Sequence, residues 1–289
     1  MTQSNNIPLG IGLMITTTFV FAVQDGLSRH LAGEYNVLMI VMIRYWFFAA
    51  FVIALAKRHA GGIRAAAKTE QPLIQITRGL LLCLEICVMV AAFTILGLVE
   101  SHAVFTCYPL LVAALSGPVL GEHVGWRRWA AIGVGFIGVL IILQPSGDVF
   151  DIGALIPLLA AAMFAVYGLL TRYAGRRDST ATSFFWTGIV GAVAMTILGV
   201  WFWEPMSGSD WFWMGCLCLT GVSGHWLLIR CYEVAEASAV QPFAYLQLAF
   251  AAIIGISLFG ETVSTNVAIG CAIIVAAGLF TFWRERQKG

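Results

Sequence analysis

The chain has 289 residues, 60% of them hydrophobic and only 11% charged, with a formal net charge of +1. A soluble domain carries about 25% charged residues, so this composition cannot cover a water-facing surface and leaves a polytopic helical membrane protein. Nothing in the charge balance points to nucleic acid, and residues 1–7 lack the Lys or Arg of a cleavable signal.

Ten apolar segments are predicted to cross a hydrocarbon core of about 30 Å at about 1.5 Å per helical residue. In chain order they are 8–28, 36–56, 74–97, 101–121, 126–144, 151–171, 181–203, 211–232, 238–260 and 265–283. Turn or charge signals separate them, among them Gly33-Glu34, Gly61-Gly62, Gly121-Glu122, Pro145-Ser146-Gly147-Asp148 and Pro205 through Gly208. Short connections leave no room for an extramembrane domain. The seven cysteines lie mostly inside apolar segments without metal-ligand spacing, and read as small packing residues. No cofactor is expected.

The chain also repeats itself. Phe21-Ala22-Val23 with Arg29 six residues on returns as Phe164-Ala165-Val166 with Arg172. Glu100-Ser101-His102-Ala103-Val104 leading to Gly121-Glu122 returns as Glu236-Ala237-Ser238-Ala239-Val240 leading to Gly260-Glu261. Two copies, 1–145 and 146–289, each with an odd number of spans, must enter the membrane from opposite sides. The fold expected is therefore an all-α membrane protein, ten transmembrane helices as two inverted five-helix repeats. Such repeats suit alternating access around a midplane site.

Orientation follows the basic residues. Of the 16 Lys and Arg, all but Arg29 and Arg44 are assigned to one set of loops, Arg78 included, which predicts that both termini are cytoplasmic. Trp201, Trp203, Trp211 and Trp213 on one side, and Trp126, Trp129 and Trp283 on the other, read as interfacial anchors.

An ionisable side chain near the bilayer centre costs about 2.5–3.5 kcal/mol on insertion scales, so each is a candidate for function. Asp25 and Arg44 lie at depths that allow a structural ion pair between the first two spans. Glu85 falls near the midplane of the third span and could meet a ligand ammonium or carry a proton. His225 and Trp226 lie within the eighth span, away from an interface. Ser101, Phe105, Tyr108 and Val112 form one helical stripe at i, i+4, i+7 and i+11, and Gln241, Tyr245, Leu248 and Ala252 form its counterpart. The substrate-binding set expected is Gln24, Glu85, Tyr108, Tyr167, His225, Trp226, Gln241 and Tyr245. Tyr167, Trp226 and Tyr245 would pack on an apolar group, while Gln24 and Gln241 would hydrogen-bond a head group. No span carries HExxH, GxSxG or a paired His/Asp cluster, which argues against an enzyme.

The duplicated Ala103-Val104 to Gly121-Glu122 and Ala239-Val240 to Gly260-Glu261 blocks, each followed by a Gly-rich closing helix, resemble the drug/metabolite transporter superfamily. The likeness covers nearly the whole chain and is to its ten-helix, EamA-type members. Within them the chain is most similar to the bacterial aromatic amino acid exporter branch. That resemblance implies export of phenylalanine, tyrosine, tryptophan or analogues across the bacterial inner membrane, from a cavity formed by spans 1, 3, 4, 6, 8 and 9. It implies no partner beyond an amino acid and the lipid bilayer: no nucleic acid and no obligate protein. A broader exporter of other metabolites or cationic drugs is the alternative within the superfamily.

Overall fold

The computed structural model describes residues 6–58, 61–121, 125–143, 152–235 and 237–286, and every regular element among them is helical. The helices are α1 (Ile7–Ala32), α2 (Val37–Arg58), a short α3 (Gly62–Ala67), α4 (Pro72–Leu96), α5 (Leu98–Phe105), α6 (Tyr108–Leu120) and α7 (Trp126–Leu143). They continue as α8 (Ile152–Ala174), α9 (Thr180–Gly199) with a 3₁₀ turn at Val200–Phe202, α10 (Gly208–Val234), α11 (Ala237–Ala244), α12 (Leu246–Phe259) and α13 (Thr265–Arg286). Among the described residues, seven segments are long and apolar enough to cross a bilayer, counting Leu98–Leu120 as one, and three further helices are apolar but shorter.

Local chemistry sets the helix ends. Asn6 accepts a hydrogen bond from the Leu9 amide to start α1, and Ser179 and Ser207 start α9 and α10 in the same way. Gly121 and Gly260 end α6 and α12 in the left-handed region, at φ 72° and 64°, where a side chain would be strained.

Two expected spans are broken. Segment 101–121 stops at Thr106–Cys107 and resumes as α6, and segment 238–260 stops at Tyr245 between α11 and α12. Pro109 in the first turn of α6 has no N–H to give to a continuous ladder, which favours a restart there. Thr106 and Cys107 keep right-handed helical angles, so Ser101, Phe105, Tyr108 and Val112 all stay buried across the interruption, with the Phe105 and Tyr108 rings 5.0 Å apart. Discontinuous helices at membrane depth require protein around them, because lipid cannot satisfy the freed backbone groups.

Packing follows a regular exchange. α1 packs most heavily on α10 and α4 on α8, while α2 faces α9 and α7 faces α13. Secondary contacts obey the same rule: α1 meets α11 and α12 as α8 meets α5 and α6. Large apolar side chains such as Trp201, Leu258, Phe212 and Val193 stay exposed on the outside of this bundle, as expected of surface facing hydrocarbon.

Candidate functional site

Near the middle of the bundle, α1, α2, α4, α5, α8, α10 and α12 surround a cavity of about 40 Å³. Its wall holds two carboxyls (Asp25, Glu85), one guanidinium (Arg44), two imidazoles (His102, His225), two amides (Gln24, Gln247) and four phenyl rings (Phe21, Phe93, Phe105, Phe164). Ile86, Met89 and Val90 complete it. At about 10–15 Å³ per water, this space admits roughly three waters. A metabolite enters only if the helices part.

Arg44 organises one side. It is 3% exposed, and its Nη2 donates to Gln24 Oε1 and to His225 Nε2, each at 3.1 Å. Because His225 Nε2 accepts, its proton sits on Nδ1, which is buried with no hydrogen-bond partner among the described residues. Gly221, one turn before His225 on α10, makes the approach possible: a Cβ there would lie 2.7 Å from Arg44 Nε.

Asp25 organises the other side. Its Oδ2 accepts from Gln247 Nε2 at 3.1 Å and lies 3.1 Å from His102 Nε2. The imidazole contact is close but is not aligned as a hydrogen bond. Glu85, near the middle of α4 (Pro72–Leu96), lines the same space and makes no hydrogen bond among the described residues. Glu85 and Asp25 both lie within Coulombic reach of Arg44.

Several expectations are corrected by this geometry. Asp25 and Arg44 do not form an ion pair, because each is turned toward a second-half partner: Gln247 on α12 for Asp25, and His225 on α10 for Arg44. Trp226 is 43% exposed and points away from the cavity, since the α10 face toward α1 is taken by His225. Tyr167 is fully buried but sits off the cavity lining, beneath Arg78 with its hydroxyl 3.4 Å from Arg78 Nη2. Tyr108 is buried against Phe105 and Phe164, and Tyr245 lines a separate apolar groove between α12 and α13. Gln24, Glu85 and His225 do line the cavity. The Gln241 side chain, Glu122 and Glu236 lie outside the described residues.

His102, Gln247, Phe21, Phe93 and Phe164 were not anticipated, and Phe105 was named only in the stripe with Ser101. The available signal was positional, since a histidine and an amide inside spans 101–121 and 238–260 are as anomalous as Glu85.

Arg78 is a further correction. Assigned to the basic loops from sequence, it lies within α4 and is fully buried. It donates to Gln75 Oε1 at 2.8 Å, the Ser183 carbonyl at 2.7 Å and Thr171 Oγ1 at 3.2 Å. Asp178 extends the network by accepting from Gln75 Nε2, the Glu70 amide and Thr69. This polar plug ties α4 to α8 and α9 between the cavity and the Ile7 end of the bundle.

At the opposite end, toward Ala32, a wide vestibule of about 550 Å³ is lined by Arg29, Phe93, Gly97, Glu100 and Glu261 among others. Glu261 accepts from the Leu98 and Val99 amides at 2.8 and 2.7 Å, taking the free N–H groups of α5, and pairs with Arg29.

Broken helices around a polar pocket at mid-depth, closed at one end and wide at the other, are how a membrane transporter is built. The chain belongs to the EamA-like transporter family, whose model matches residues 8–144 and again 151–283. It is a transporter rather than an enzyme, and a multi-pass protein of the bacterial inner membrane. It is 27% identical to an S-adenosylmethionine uptake transporter of Rickettsia felis over 96% of this chain and 94% of the relative. It is 27% identical to a riboflavin transporter of Vibrio cholerae, over 95% and 93%, and 30% identical to one of Rhizobium johnstonii, over 84% and 81%. A crystal structure of a protein 18% identical superposes with a TM-score of 0.66 over 96% of each chain, a likeness of fold. None of these names concerns aromatic amino acid export, so the relatives do not support that expectation. Phenyl rings serve any flat solute, and aromatic content alone could not choose among them.

Proposed function

We propose that the protein carries a metabolite with a fused heteroaromatic ring and a polar, cation-bearing tail, of the class S-adenosylmethionine represents, across the inner membrane by alternating access. The observation that carries this reading is Glu85, a cavity carboxyl at mid-depth that makes no hydrogen bond among the described residues. With Asp25 it places two carboxyls beside the single guanidinium of Arg44, a set on which a cationic ligand finds a pairing partner. Phe21, Phe105 and Phe164 offer faces and edges to a flat ring, and Gln24, Gln247 and His225 offer hydrogen bonds to ribose or amino acid groups. The names of the Rickettsia relatives favour uptake as the direction.

Within this reading the chain has ten spans with both termini cytoplasmic, α5–α6 and α11–α12 each forming one interrupted span. Residues 1–145 and 146–289 are the inverted repeats. The exchange of packing partners between halves, the paired Gly121 and Gly260 caps, and the twofold family match all support it. The Ile7 end then faces the cytoplasm and the Ala32 end the periplasm.

Riboflavin is the second reading, favoured by the aromatic and amide wall, which suits a neutral fused-ring solute equally well. The deciding experiment is counterflow of labelled S-adenosylmethionine, riboflavin and phenylalanine into liposomes holding only this chain. Accumulation of S-adenosylmethionine alone supports the proposal, riboflavin alone supports the second reading, and phenylalanine alone refutes both.

A further inference from the structure

We infer that Phe93 is the gate between the periplasmic vestibule and the central cavity, and that His102 holds it shut. The inference rests on the transporter reading above but not on the identity of the substrate.

Phe93 is the one residue shared by the two linings among the described residues, and it is 1% exposed. Phe93 thus borders both the wide vestibule and the 40 Å³ cavity. It stands one helical turn before Gly97, where α4 ends at φ 82° with the Gly97 amide bonded to the Phe93 carbonyl. The ring therefore rides the last turn of a helix whose end is a glycine corner, the place where a small backbone change moves a side chain furthest.

The ring is not held by apolar packing alone. It stacks on His102 with centroids 5.4 Å apart and planes 27° from parallel. His102 in turn contacts the Asp25 carboxylate, which is tied to Gln247. Plug, backing ring and cavity carboxylate thus come from α4, α5 and α1, with α12 fixing the last. A ligand that engages Asp25 competes directly with the residue that backs the plug, so occupancy of the cavity is transmitted to the gate without a long relay. The Arg29–Glu261 pair and its bonds to the α5 amides hold the base of the same α4–α5 corner. At the opposite end the Arg78 network fills the space with bonded polar groups.

The test reads accessibility, not transport. Met89 lines the cavity one turn below Phe93, and Ile95 is an exposed vestibule residue. Met89→Cys and Ile95→Cys proteins are labelled with a membrane-impermeant maleimide in right-side-out and in inside-out vesicles, with labelling of the unsubstituted chain subtracted. The gate is scored in whichever vesicles expose Ile95→Cys, so an error in the assigned orientation does not obscure the result. The cavity cysteine should label slowly, and at least tenfold faster when combined with Phe93→Ala or His102→Ala. Phe93→Trp and His102→Phe, which keep a stacked ring, should restore the slow rate, which a general loosening of the fold would not allow. Unchanged labelling in Phe93→Ala, with normal Ile95→Cys reactivity, overturns the assignment of the gate. Unchanged labelling in His102→Ala alone overturns the role given to His102.

Discussion

Gly221→Ala is the sharpest test of the Arg44 site because one methyl group decides it. The new Cβ would sit 2.7 Å from Arg44 Nε, against the 3.4 Å where ordinary contact begins. The guanidinium must withdraw from α10 by about 0.7 Å, and the open space on its side is the cavity that it lines. His225 stands on the same helix, so its 3.1 Å bond to Nη2 lengthens toward about 3.8 Å, outside the hydrogen-bonding range, and the Gln24 bond is distorted. Polar side-chain bonds between membrane helices are worth about 0.6 to 1.7 kcal/mol each, so losing two costs about 1–3 kcal/mol. That loss falls on the folded state, so the protein should melt at a lower temperature, and substrate affinity should fall as Gln24, Arg44 and His225 leave their places in the cavity wall. The assay is concentration-dependent counterflow in proteoliposomes, with thermal unfolding in detergent to confirm folding. Gly215→Ala on the same helix, where a Cβ meets nothing within 4 Å, is the matched control and should be silent. Equal loss in both variants, or wild-type affinity in Gly221→Ala, would refute the reasoning.

Other consequences are equally direct. Glu85→Gln should weaken S-adenosylmethionine by about tenfold or more while leaving riboflavin nearly unchanged, measured by competitive inhibition of counterflow, since only the charge is removed. Gly191→Ala places a methyl inside the buried Tyr45 ring and should destabilise the α2–α9 seam by about 1–3 kcal/mol, and Tyr45→Leu should recover part of the loss in thermal melts. Tyr45→Phe removes a buried hydroxyl that has no hydrogen-bond partner among the described residues, so the melting temperature should hold or rise. Trp226→Ala, on the hydrocarbon-facing side of α10, should keep wild-type transport kinetics; a changed substrate preference would restore Trp226 to the site.

The helices were largely legible because their solvent is uniform. In hydrocarbon every span must be apolar and long, so expected boundaries such as 8–28, 36–56 and 74–97 fall within a few residues of α1, α2 and α4. The interruption before Pro109 was not legible, because a proline at a helix restart reads much like one at a kink until the surrounding protein is known, and the one at Tyr245 carries no proline at its restart.

Within the site, anomaly was readable and partnership was not. Glu85, Gln24 and His225 declared themselves as polar groups at membrane depth, and the structure gathers all three around one cavity. Asp25 and Arg44 declared themselves too, and sequence neighbourhood paired them wrongly. The physical reason is distance along the chain: Asp25 meets Gln247 across 222 positions, and Arg44 meets His225 across 181. Arg78 shows the same limit, since a basic residue near a helix end reads as a cytoplasmic charge until Thr171 and Ser183 are seen to surround it. The sequence by itself determined the solvent, the helical class and which side chains are too polar for their depth, because these depend on local composition. Tertiary structure alone decided which of them meet, which face lipid, and where the cavity is sealed, because those follow from how α1, α4, α8 and α10 pack across the two halves.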